Sequence, residues 1–395
     1  MKEGWEYVDF KEVFPIIMGK TPPRGDKTYW DIAKETHNKW VSIADISRNE
    51  GNVITDTKEY ITDKGAKNIN IVHKGSLLMS FKLSIGKMAF AGDDLYTNEA
   101  IIAIPKNNRY NLRFIFYYLL SYDWKNISAG KEKVKGATLN KSSIGSIKLP
   151  VLSLSEQHRI VSYLDSAFAK IDAVAKNAEN SLNEAKALFQ SALAKMMEPK
   201  EGWMETKLGN VCDIERGGSP RPIKEYITDD PNGLNWIKIG DTDKNGKYIY
   251  STKEKIKPEG LKKSRWVEEN DFLLSNSMSY GRPYILKTNG CIHDGWLVLR
   301  KYDATFVIDF LYYLLISSSV QSQFHEKAQG STVSNLNSER VADVVVAFPD
   351  KSEQQKIVST LDSIKSKVDQ LQSNLSHTLA ECEALKQAIL RQTFE

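Results

Sequence analysis

Residues 155–198 read SEQHRIVSYLDSAFAKIDAVAKNAENSLNEAKALFQSALAKMME and contain no glycine or proline. Residues 352–395 read SEQQKIVSTLDSIKSKVDQLQSNLSHTLAECEALKQAILRQTFE and align with the first segment without a gap. Of the 44 aligned positions, 19 are identical. Two helices that are matched only in composition would share far fewer identities. We therefore interpret the pair as an internal duplication.

Both segments place apolar or small residues at alternating steps of four and three, the repeat of a left-handed coiled coil. The predicted seam of the first segment is Ile160, Leu164, Ala167, Ile171, Val174, Ala178, Ser181, Ala185, Leu188 and Ala192. The predicted seam of the second is Ile357, Leu361, Ile364, Val368, Leu371, Leu375, Thr378, Cys382, Leu385 and Ile389. Each segment should be one helix about 60 Å long. On the seam alone, a simple dimerisation rod remains an alternative.

The rest of the chain is duplicated in a more divergent form. EGW at residues 3–5 corresponds to EGW at 201–203, and GKTPPR at 19–24 corresponds to GGSPRP at 217–222. VSIADI at 41–46 and IKIGDT at 237–242 alternate in polarity, so we predict strands there. LLMS at 77–80 answers LLSN at 273–276, and the apolar residues 114–120 and 310–315 are predicted helices. Each globular segment is therefore duplicated as well.

We predict an α+β protein with two globular mixed α/β domains, separated by two long helices with a pseudo-twofold internal repeat. The predicted boundaries are residues 1–154 and 199–351 for the domains and 155–198 and 352–395 for the helices. A domain of this size is roughly 40 Å across and cannot bridge the far ends of two parallel 60 Å helices. The helices should therefore form an antiparallel coiled coil.

Charge is distributed unevenly, although the net charge is only +4. Residues 1–154 hold 23 basic and 17 acidic side chains, residues 199–351 hold 21 of each, and each long helix holds five basic and six acidic ones. The surplus in the first domain is compatible with nucleic-acid binding. Three widely spaced cysteines, no signal-like N-terminus and no apolar run of membrane-spanning length predict a cytoplasmic protein.

Motifs that carry catalysis are incomplete in this sequence. GKT at residues 19–21 lacks the first glycine of a phosphate-binding loop, and no Gly-x-Gly-x-x-Gly or Asn-Pro-Pro-aromatic motif occurs. Pro349-Asp350 is followed by no Asp/Glu-x-Lys in range, so we interpret it as the end of a strand. Cys291 and His293 lack a second pair that would complete a metal site. We expect no catalytic centre, cofactor site or metal site in this chain.

Polar loops of the two globular domains are instead suited to contact with a DNA duplex. Arginine and lysine bind phosphates or guanine, and asparagine and glutamine pair with adenine. A solvated surface charge is the alternative for each residue alone, but the set recurs at matching places in both domains. The predicted DNA-binding residues are Lys20, Thr21, Arg24, Lys82, Lys87, Lys131, Lys133, Lys135, Arg216, Ser219, Arg221, Asn276 and Arg282.

The whole chain resembles the specificity subunit of type I restriction–modification systems. The resemblance rests on Glu-Gly-Trp, a divergent domain that ends in Gly-(Ala/Ser)-Thr and a proline, and Ser-Glu-Gln-(His/Gln)-(Arg/Lys)-Ile-Val-Ser-x-Leu-Asp at the head of a long helix, all present twice. It implies a non-catalytic subunit whose two target recognition domains each recognise half of a bipartite double-stranded DNA site. The coiled coil would set the gap between the halves.

The resemblance also implies partners. Two modification subunits would dock on the helices and methylate adenine with S-adenosylmethionine, and restriction subunits would cleave DNA with ATP and Mg²⁺. No cofactor is expected in this chain. Two alternatives remain open from the sequence: a non-enzymatic coiled-coil scaffold with two protein-binding domains, and the recognition chain of a restriction system outside type I. The recognised bases and the gap length do not follow from the sequence.

Overall fold

The computed structural model describes residues 2–122, 124, 139–243, 246–277, 280–328 and 335–395. The chain forms two units, one of Met1–Ala178 with Ser376–Glu395 and the other of Glu179–Leu375. We call them unit 1 and unit 2. Each unit combines one globular domain with a portion of both long helices, whereas the boundaries predicted from sequence separate domains from helices.

Unit 1 contains three sheets. Its five-stranded sheet has the order Ile17–Met18, Ile101–Ile104, Leu77–Ser80, Met88–Ala91 and Val53–Ile54. A three-stranded sheet has the order Glu59–Tyr60, Lys39–Val41 and Tyr96–Thr97, and Tyr7–Asp9 pairs with Lys148–Pro150. The helices of this domain are Phe10–Val13, Ile43–Arg48, Asp63–Ala66, Leu112–Leu120 and Lys141–Gly145, with a 3₁₀ turn at Lys27–Tyr29.

Unit 2 repeats this plan with additional edge strands. One five-stranded sheet has the order Asp213–Arg216, Trp296–Arg300, Phe272–Ser275, Pro283–Leu286 and Tyr248–Ile249. The other has the order Ile227–Thr228, Glu254–Ile256, Leu234–Ile237, Gly290–Ile292 and Arg265–Val267, and Met204–Lys207 pairs with Val345–Phe348. The helices are Ile308–Ile316, Ser318–Ala328 and Ser338–Ala342, with 3₁₀ turns at Leu208–Asn210, Ile223–Glu225, Ile239–Asp241 and Pro258–Lys263. The predicted mixed α/β domains are confirmed.

The strands predicted at residues 41–46 and 237–242 are wrong except for their first residues, Val41 and Ile237. The strand Lys39–Val41 ends where the helix Ile43–Arg48 begins, because Ser42 and Asp45 form a capping box at the N-terminus of that helix. In unit 2 a 3₁₀ turn follows the strand Leu234–Ile237 in the same way. Alternating polarity across a strand–cap–helix junction was mistaken for the period of one strand.

The long helices are Leu154–Met196 and Lys351–Phe394. In unit 1 they run antiparallel: the Cys382 thiol lies 3.8 Å from the carbonyl oxygen of Ile171, whereas Leu390 and Phe394, further along the second helix, share a core with Ile160 and Leu164, nearer the start of the first. In unit 2, residues of the first helix share one hydrophobic core with residues of the second: Leu182, Phe189, Leu193, Ile357, Leu361 and Val368. The predicted antiparallel coiled coil is confirmed.

The predicted heptad seam holds only in part. Val174 and Leu188 on the first helix are 54% and 64% exposed, and Leu385 on the second is 51% exposed. On the first helix the inward positions lie one residue further along: Ala175, Leu182 and Phe189. A straight helix drifts from a strict seven-residue repeat, and one additional step of four, from Ile171 to Ala175, restores the inward face.

A glutamine of the Ser-Glu-Gln motif joins each globular domain to its long helix. Gln157 is fully buried; its Oε1 accepts a hydrogen bond from the Asn111 backbone N–H, and its Nε2 donates to the carbonyl oxygens of Arg109 and Leu152. Asn111 is the N-cap of the helix Leu112–Leu120. The side chain therefore fixes the start of a domain helix against the long helix.

Unit 2 repeats this contact with the same geometry. Gln354 is fully buried, accepts from the Val307 N–H at 2.8 Å, and donates to the carbonyl oxygens of Thr305 and Pro349. We call Gln157 and Gln354 the junction glutamines. Three hydrogen bonds to backbone groups explain why a glutamine occupies this position in both copies, since no shorter or apolar side chain could satisfy these groups.

Candidate nucleic-acid interface

The predicted site residues of unit 1 begin in the loop of residues 19–24, which follows the strand Ile17–Met18. Gly19 lies so close to the end of a neighbouring strand that a Cβ there would stand 2.0 Å from the carbonyl oxygen of Thr97. Lys20 then donates its backbone N–H to that same oxygen at 2.8 Å. The glycine therefore allows the loop to cross the strand and places Thr21 beside the segment that follows it.

Thr21 donates a hydrogen bond from Oγ1 to a carboxylate oxygen of Glu99. Burial on its own would raise the pKa of Glu99, but this hydrogen bond and the positive charges of Lys82 and Arg24 hold the pKa below its ordinary value. Of the predicted residues in this unit, Thr21 contacts Glu99 directly. Glu99 was not among the predicted site residues.

Arg24 is held in a defined position by several contacts. Its guanidinium forms an ion pair with Glu59 and lies 4.1 Å from the ring centre of Trp30 and 4.7 Å from that of Trp40. Stacking on aromatic rings and an acidic partner leave one edge of an arginine available for a ligand while limiting its rotamers. The side chain is still 53% exposed.

The other predicted lysines of unit 1 lie elsewhere. Lys87 forms an ion pair with Glu50 at 2.9 Å and is not among the groups that act on the Glu99 charge. Lys131, Lys133 and Lys135 lie outside the described residues, as do the Gly-(Ala/Ser)-Thr landmarks at 136–138 and 330–332.

Unit 2 places its predicted residues around Asp294. Ser219 Oγ donates to Asp294 Oδ1 at 2.6 Å, and Arg221 Nη2 lies 3.2 Å from Oδ2. Arg216 Nε and Asn276 Nδ2 donate to the backbone carbonyl oxygen of Asp294 at 3.1 and 2.9 Å. Four of the five residues predicted in this domain therefore contact one acid that the sequence analysis did not select.

The electrostatics of Asp294 match those of Glu99. The hydrogen bond from Ser219 is the largest cause that lowers the pKa of Asp294, against the opposing effect of burial, and the charge of Arg221 adds to the lowering. The first glycine of the loop is needed here too, because a Cβ on Gly217 would stand 2.2 Å from the carbonyl oxygen of His293. Both carboxyl groups are therefore ionised at neutral pH.

Asn276 was predicted to bind DNA as the counterpart of Lys82, but it occupies a different position and is buried. Its backbone N–H donates to Gly295 at 3.0 Å, as that of Phe81 donates to Ala100 at 2.9 Å, so Asn276 corresponds to Phe81 and not to Lys82. The side chain is only 1% exposed. The sequence alignment was shifted by one residue here, and such a shift moves a strand residue to the opposite face.

Arg282 is the counterpart of Lys87, as predicted. Ser80 donates its backbone N–H to the carbonyl oxygen of Lys87, and Ser275 donates to that of Arg282. Arg282 is exposed, and its backbone N–H donates a hydrogen bond to Ser275 Oγ at 3.0 Å. The two residues thus occupy one structural position next to the hairpin turn.

Cys291 and His293 have structural surroundings. Cys291 is fully buried, and burial raises the pKa of its thiol to about 11. His293 Nδ1 accepts the backbone N–H of Gly295 at 2.7 Å. Within the described ranges, no group of three or more His, Cys, Asp and Glu side chains could hold a metal ion, and no helix is long and apolar enough to span a membrane.

A family model described as the type I restriction modification DNA specificity domain matches this chain twice, at residues 2–184 and 200–380. The chain is 24% identical over 372 residues to the putative type I restriction enzyme specificity subunit S.HindORF215P of Haemophilus influenzae, covering 89% of this chain and 91% of that one. It is 26% identical over 255 residues to the type I restriction enzyme MjaIX specificity subunit of Methanocaldococcus jannaschii, covering 56% of this chain and 55% of the relative. The chain thus spans about half of the length of the MjaIX subunit in that match.

Solved structures share this fold. A chain from a structure on complex assembly and conformational transition of the type I restriction–modification system superposes with a TM-score of 0.76 at 22% identity, over 100% of this chain and 98% of the other. The HsdS subunit from Thermoanaerobacter tengcongensis superposes with a TM-score of 0.56 at 20% identity, over 100% and 97%. At these identities the likeness concerns the fold.

Proposed function

The chain belongs to the type I restriction–modification DNA specificity family and is a DNA sequence-recognition subunit, and we propose that its two globular domains each recognise one half of a split, asymmetric DNA site. One observation carries this proposal. The loops at residues 19–24 and 217–222 occupy equivalent positions and carry the same hydroxyl–acid pair, but the cationic side chains around that pair differ between the units. Equivalent loops with unlike side chains suit two different half-sites.

The two domains differ in how they would bind DNA. Residues 1–154 carry a net charge of +6, from 23 basic and 17 acidic side chains, whereas residues 199–351 are neutral. Phosphate contacts supply affinity without sequence information, and base contacts supply selectivity. We infer that the first domain contributes more of the phosphate binding and that the second relies more on base contacts or on a partner subunit for charge neutralisation.

The long helices would separate the two half-sites and carry the partner subunits. Their outward faces carry exposed apolar side chains, such as Val174, Leu188 and Leu385, among polar ones. Such faces suit docking of two modification subunits that bring S-adenosylmethionine, and of restriction subunits that bring ATP and Mg²⁺. In this proposal the chain itself is non-catalytic and holds no cofactor. It would work in the cytoplasm, where its three free, buried cysteines stay reduced.

The proposal is tested by methylome sequencing of a host that lacks other methyltransferases and expresses this chain with its modification subunit. We expect methyladenine at a split, asymmetric motif that disappears when the chain is omitted. In a second strain, residues 199–351 are replaced by the equivalent domain of another family member. Only one half of the motif should then change, because each domain binds its own half-site.

Two results would contradict the proposal. If the exchange altered both halves of the motif, the domains would not act independently. If no motif appeared and the modification subunit failed to copurify, the chain would instead be a scaffold with two protein-binding domains. A scaffold also predicts no DNA affinity that weakens steeply with salt.

A further inference from the structure

An acidic residue on a neighbouring segment contacts each of the two predicted DNA-binding loops, residues 19–24 and 217–222. Glu99 follows the strand Tyr96–Thr97 by two residues, and Asp294 follows the strand Gly290–Ile292 by two residues. The two strands are equivalent, since each pairs in parallel with the tryptophan-containing strand of its sheet. We call Glu99 and Asp294 the loop acids. Both positions have kept a carboxylate although most other residues of the loops have diverged.

A carboxylate is unfavourable on a surface that meets DNA. It repels the phosphates, because charges of the same sign repel each other more strongly near a protein surface than in bulk water. Neither acid is buried in a core: Glu99 is exposed, and the Asp294 side chain is 42% exposed. Their retention at such a place therefore requires a contribution that offsets the repulsion.

The contacts of the loop acids indicate what this contribution is. Each acid accepts a hydrogen bond from the single hydroxyl of its loop, Thr21 in unit 1 and Ser219 in unit 2. The hydroxyl precedes a proline in both loops, at Pro22 and Pro220. A proline has a fixed φ angle, so a hydrogen bond at the preceding residue fixes the direction in which the loop continues.

The arginine of each loop is also held by an acid. Asp294 binds Arg221 directly through its second carboxylate oxygen at 3.2 Å. In unit 1 Arg24 is held by Glu59 and by the rings of Trp30 and Trp40, while Glu99 binds the hydroxyl. A tethered arginine presents its donors in one orientation, whereas an untethered one can follow any phosphate.

We propose that Glu99 and Asp294 are the positioning residues of the two DNA-binding loops: each orients the hydroxyl of the loop beside it, and Asp294 also orients Arg221. Each acid thereby increases sequence selectivity at one half-site while it reduces affinity for DNA in general. This inference rests on the proposed function. It assigns selectivity to two acids that need not touch a base themselves. It predicts that loss of either acid lowers sequence selectivity but raises the affinity for DNA in general. Loss of a residue with only a structural role would lower both.

The test uses the complete chain in complex with its modification subunit. Glu99→Gln and Asp294→Asn keep the shape and the acceptor oxygen of each side chain but remove its charge. We expect discrimination against single-base changes to fall about tenfold in the half-site of the altered domain only, since a well-placed base contact is worth roughly that much. Affinity for unrelated duplex DNA should rise, with a measurable change in the salt dependence of binding.

Two further variants make the test specific. Thr21→Val removes the hydroxyl without a change in charge, and it should reduce selectivity in the same half-site as Glu99→Gln. The double variant should be no worse than the stronger single one, because Glu99→Gln weakens the same hydrogen bond that Thr21→Val removes. Glu35→Gln is the charge-matched control: Glu35 is exposed in the same unit, and no side-chain bond of it is seen among the described residues.

The outcomes separate this inference from the proposed function. If the wild-type complex methylates no split motif, the proposed function fails. If it does, but Glu99→Gln and Thr21→Val both retain wild-type selectivity, the positioning role is overturned while the proposed function stands. The role is also overturned if Glu35→Gln lowers selectivity as much as Glu99→Gln. Should Glu99→Gln impair folding, as thermal unfolding would reveal, Thr21→Val and Asp294→Asn decide the matter.

Discussion

The junction between domain and long helix uses the same tyrosine and aspartate in both units, but a different arrangement of charges. In unit 1 the Tyr117 hydroxyl donates to Asp165 on the long helix, and burial with this bond raises the pKa of the tyrosine to about 12. Arg113, one turn before Tyr117, lies 3.1 Å from the same carboxylate and also donates to the carbonyl oxygen of Gly51. The cation therefore comes from the domain helix.

In unit 2 the Tyr313 hydroxyl donates to Asp362 at 2.5 Å, but Asp309 stands where Arg113 stands in unit 1. The cation is Lys247, which lies 2.5 Å from Asp309 and 3.9 Å from Asp362. Its counterpart in unit 1 is Asn52. The carbonyl oxygen of Lys247 accepts the backbone N–H of Ile285, and that of Asn52 accepts the N–H of Phe90 on the equivalent strand. The hydrogen bond between tyrosine and aspartate is therefore the same in both units, whereas the cation comes from a different element in each.

Loss of a junction glutamine should have the largest effect, because it removes what the two junctions share. Gln354→Ala leaves the Val307 N–H and the carbonyl oxygens of Thr305 and Pro349 without their partner. We expect a loss of about 3–5 kcal/mol in the stability of unit 2. Hydrogen exchange measured by mass spectrometry should show faster exchange at residues 308–316. Gln355→Ala is the control, since Gln355 is an exposed neighbour of the same chemistry; equal exchange in the two variants would refute the role of Gln354.

Removal of the junction cation should have a smaller and unequal effect in the two units. Lys247→Asn leaves Asp309 and Asp362 facing each other without a cation, at a cost of about 2 kcal/mol. Arg113→Met leaves only one carboxylate and should cost about 1 kcal/mol. Urea denaturation followed by hydrogen exchange in each unit measures the difference.

A double variant can introduce the charge arrangement of the unit 1 junction into unit 2. Lys247→Asn together with Asp309→Arg gives unit 2 the charge arrangement of unit 1, with the cation on the domain helix. This double variant should recover most of the stability that Lys247→Asn loses. If Asp309→Arg gave no recovery, the two charge arrangements would not be equivalent solutions.

The smallest expected effect is a dependence of the stability of unit 2 on pH, which comes from a histidine that unit 1 replaces with asparagine. His293 in unit 2 accepts the N–H of Gly295 where Asn98 in unit 1 accepts the N–H of Ala100. Burial lowers the pKa of His293 below its ordinary value of 6.5, although the charges of Asp294 and Asp241 oppose this. The unfolded chain therefore binds the proton more readily, so this contribution to stability is complete above pH 6.5 and is lost as the pH falls below it.

Denaturation of unit 2 at a series of pH values should show this loss, with a slope of at most about 1.4 kcal/mol per pH unit for one proton. His293→Asn copies the residue of unit 1, retains an acceptor for Gly295, and should abolish the slope near pH 6. A slope that persists in this variant would assign the proton to another group.

The repetition of the chain made much of the fold predictable. Two copies of one helical segment predicted the coiled coil, and the apolar runs at residues 114–120 and 310–315 predicted the helices that the structure places at Leu112–Leu120 and Ile308–Ile316. The loop residues Thr21 and Ser219 were selected because they recur, and the structure places them at equivalent positions. An internal repeat shows which residues of the two copies correspond to each other, even when the residues that they contact are not known.

Contacts between distant segments were not predictable in the same way. The Ser-Glu-Gln motif was recognised, but nothing in it indicates that the glutamine is the buried member, since two of its three partners lie almost fifty residues away. Glu99 and Asp294 were overlooked because the search for DNA contacts considered basic, amide and hydroxyl side chains only. Their separation of 195 residues, which matches that of Ser80 and Ser275, was a signal that could have found them.

The composition of the two units also has a consequence for synthesis on the ribosome. Unit 2 is one continuous run of sequence, Glu179–Leu375. Unit 1 takes Leu390 and Phe394 into its core, and these are buried to 0% and 2% exposure beside Phe114 and Leu164. During translation the domain made first therefore remains incomplete, while the domain made second can finish folding before the last twenty residues emerge. The order of synthesis and the order of completion are therefore reversed, and the domain made first exposes part of its apolar core for longer.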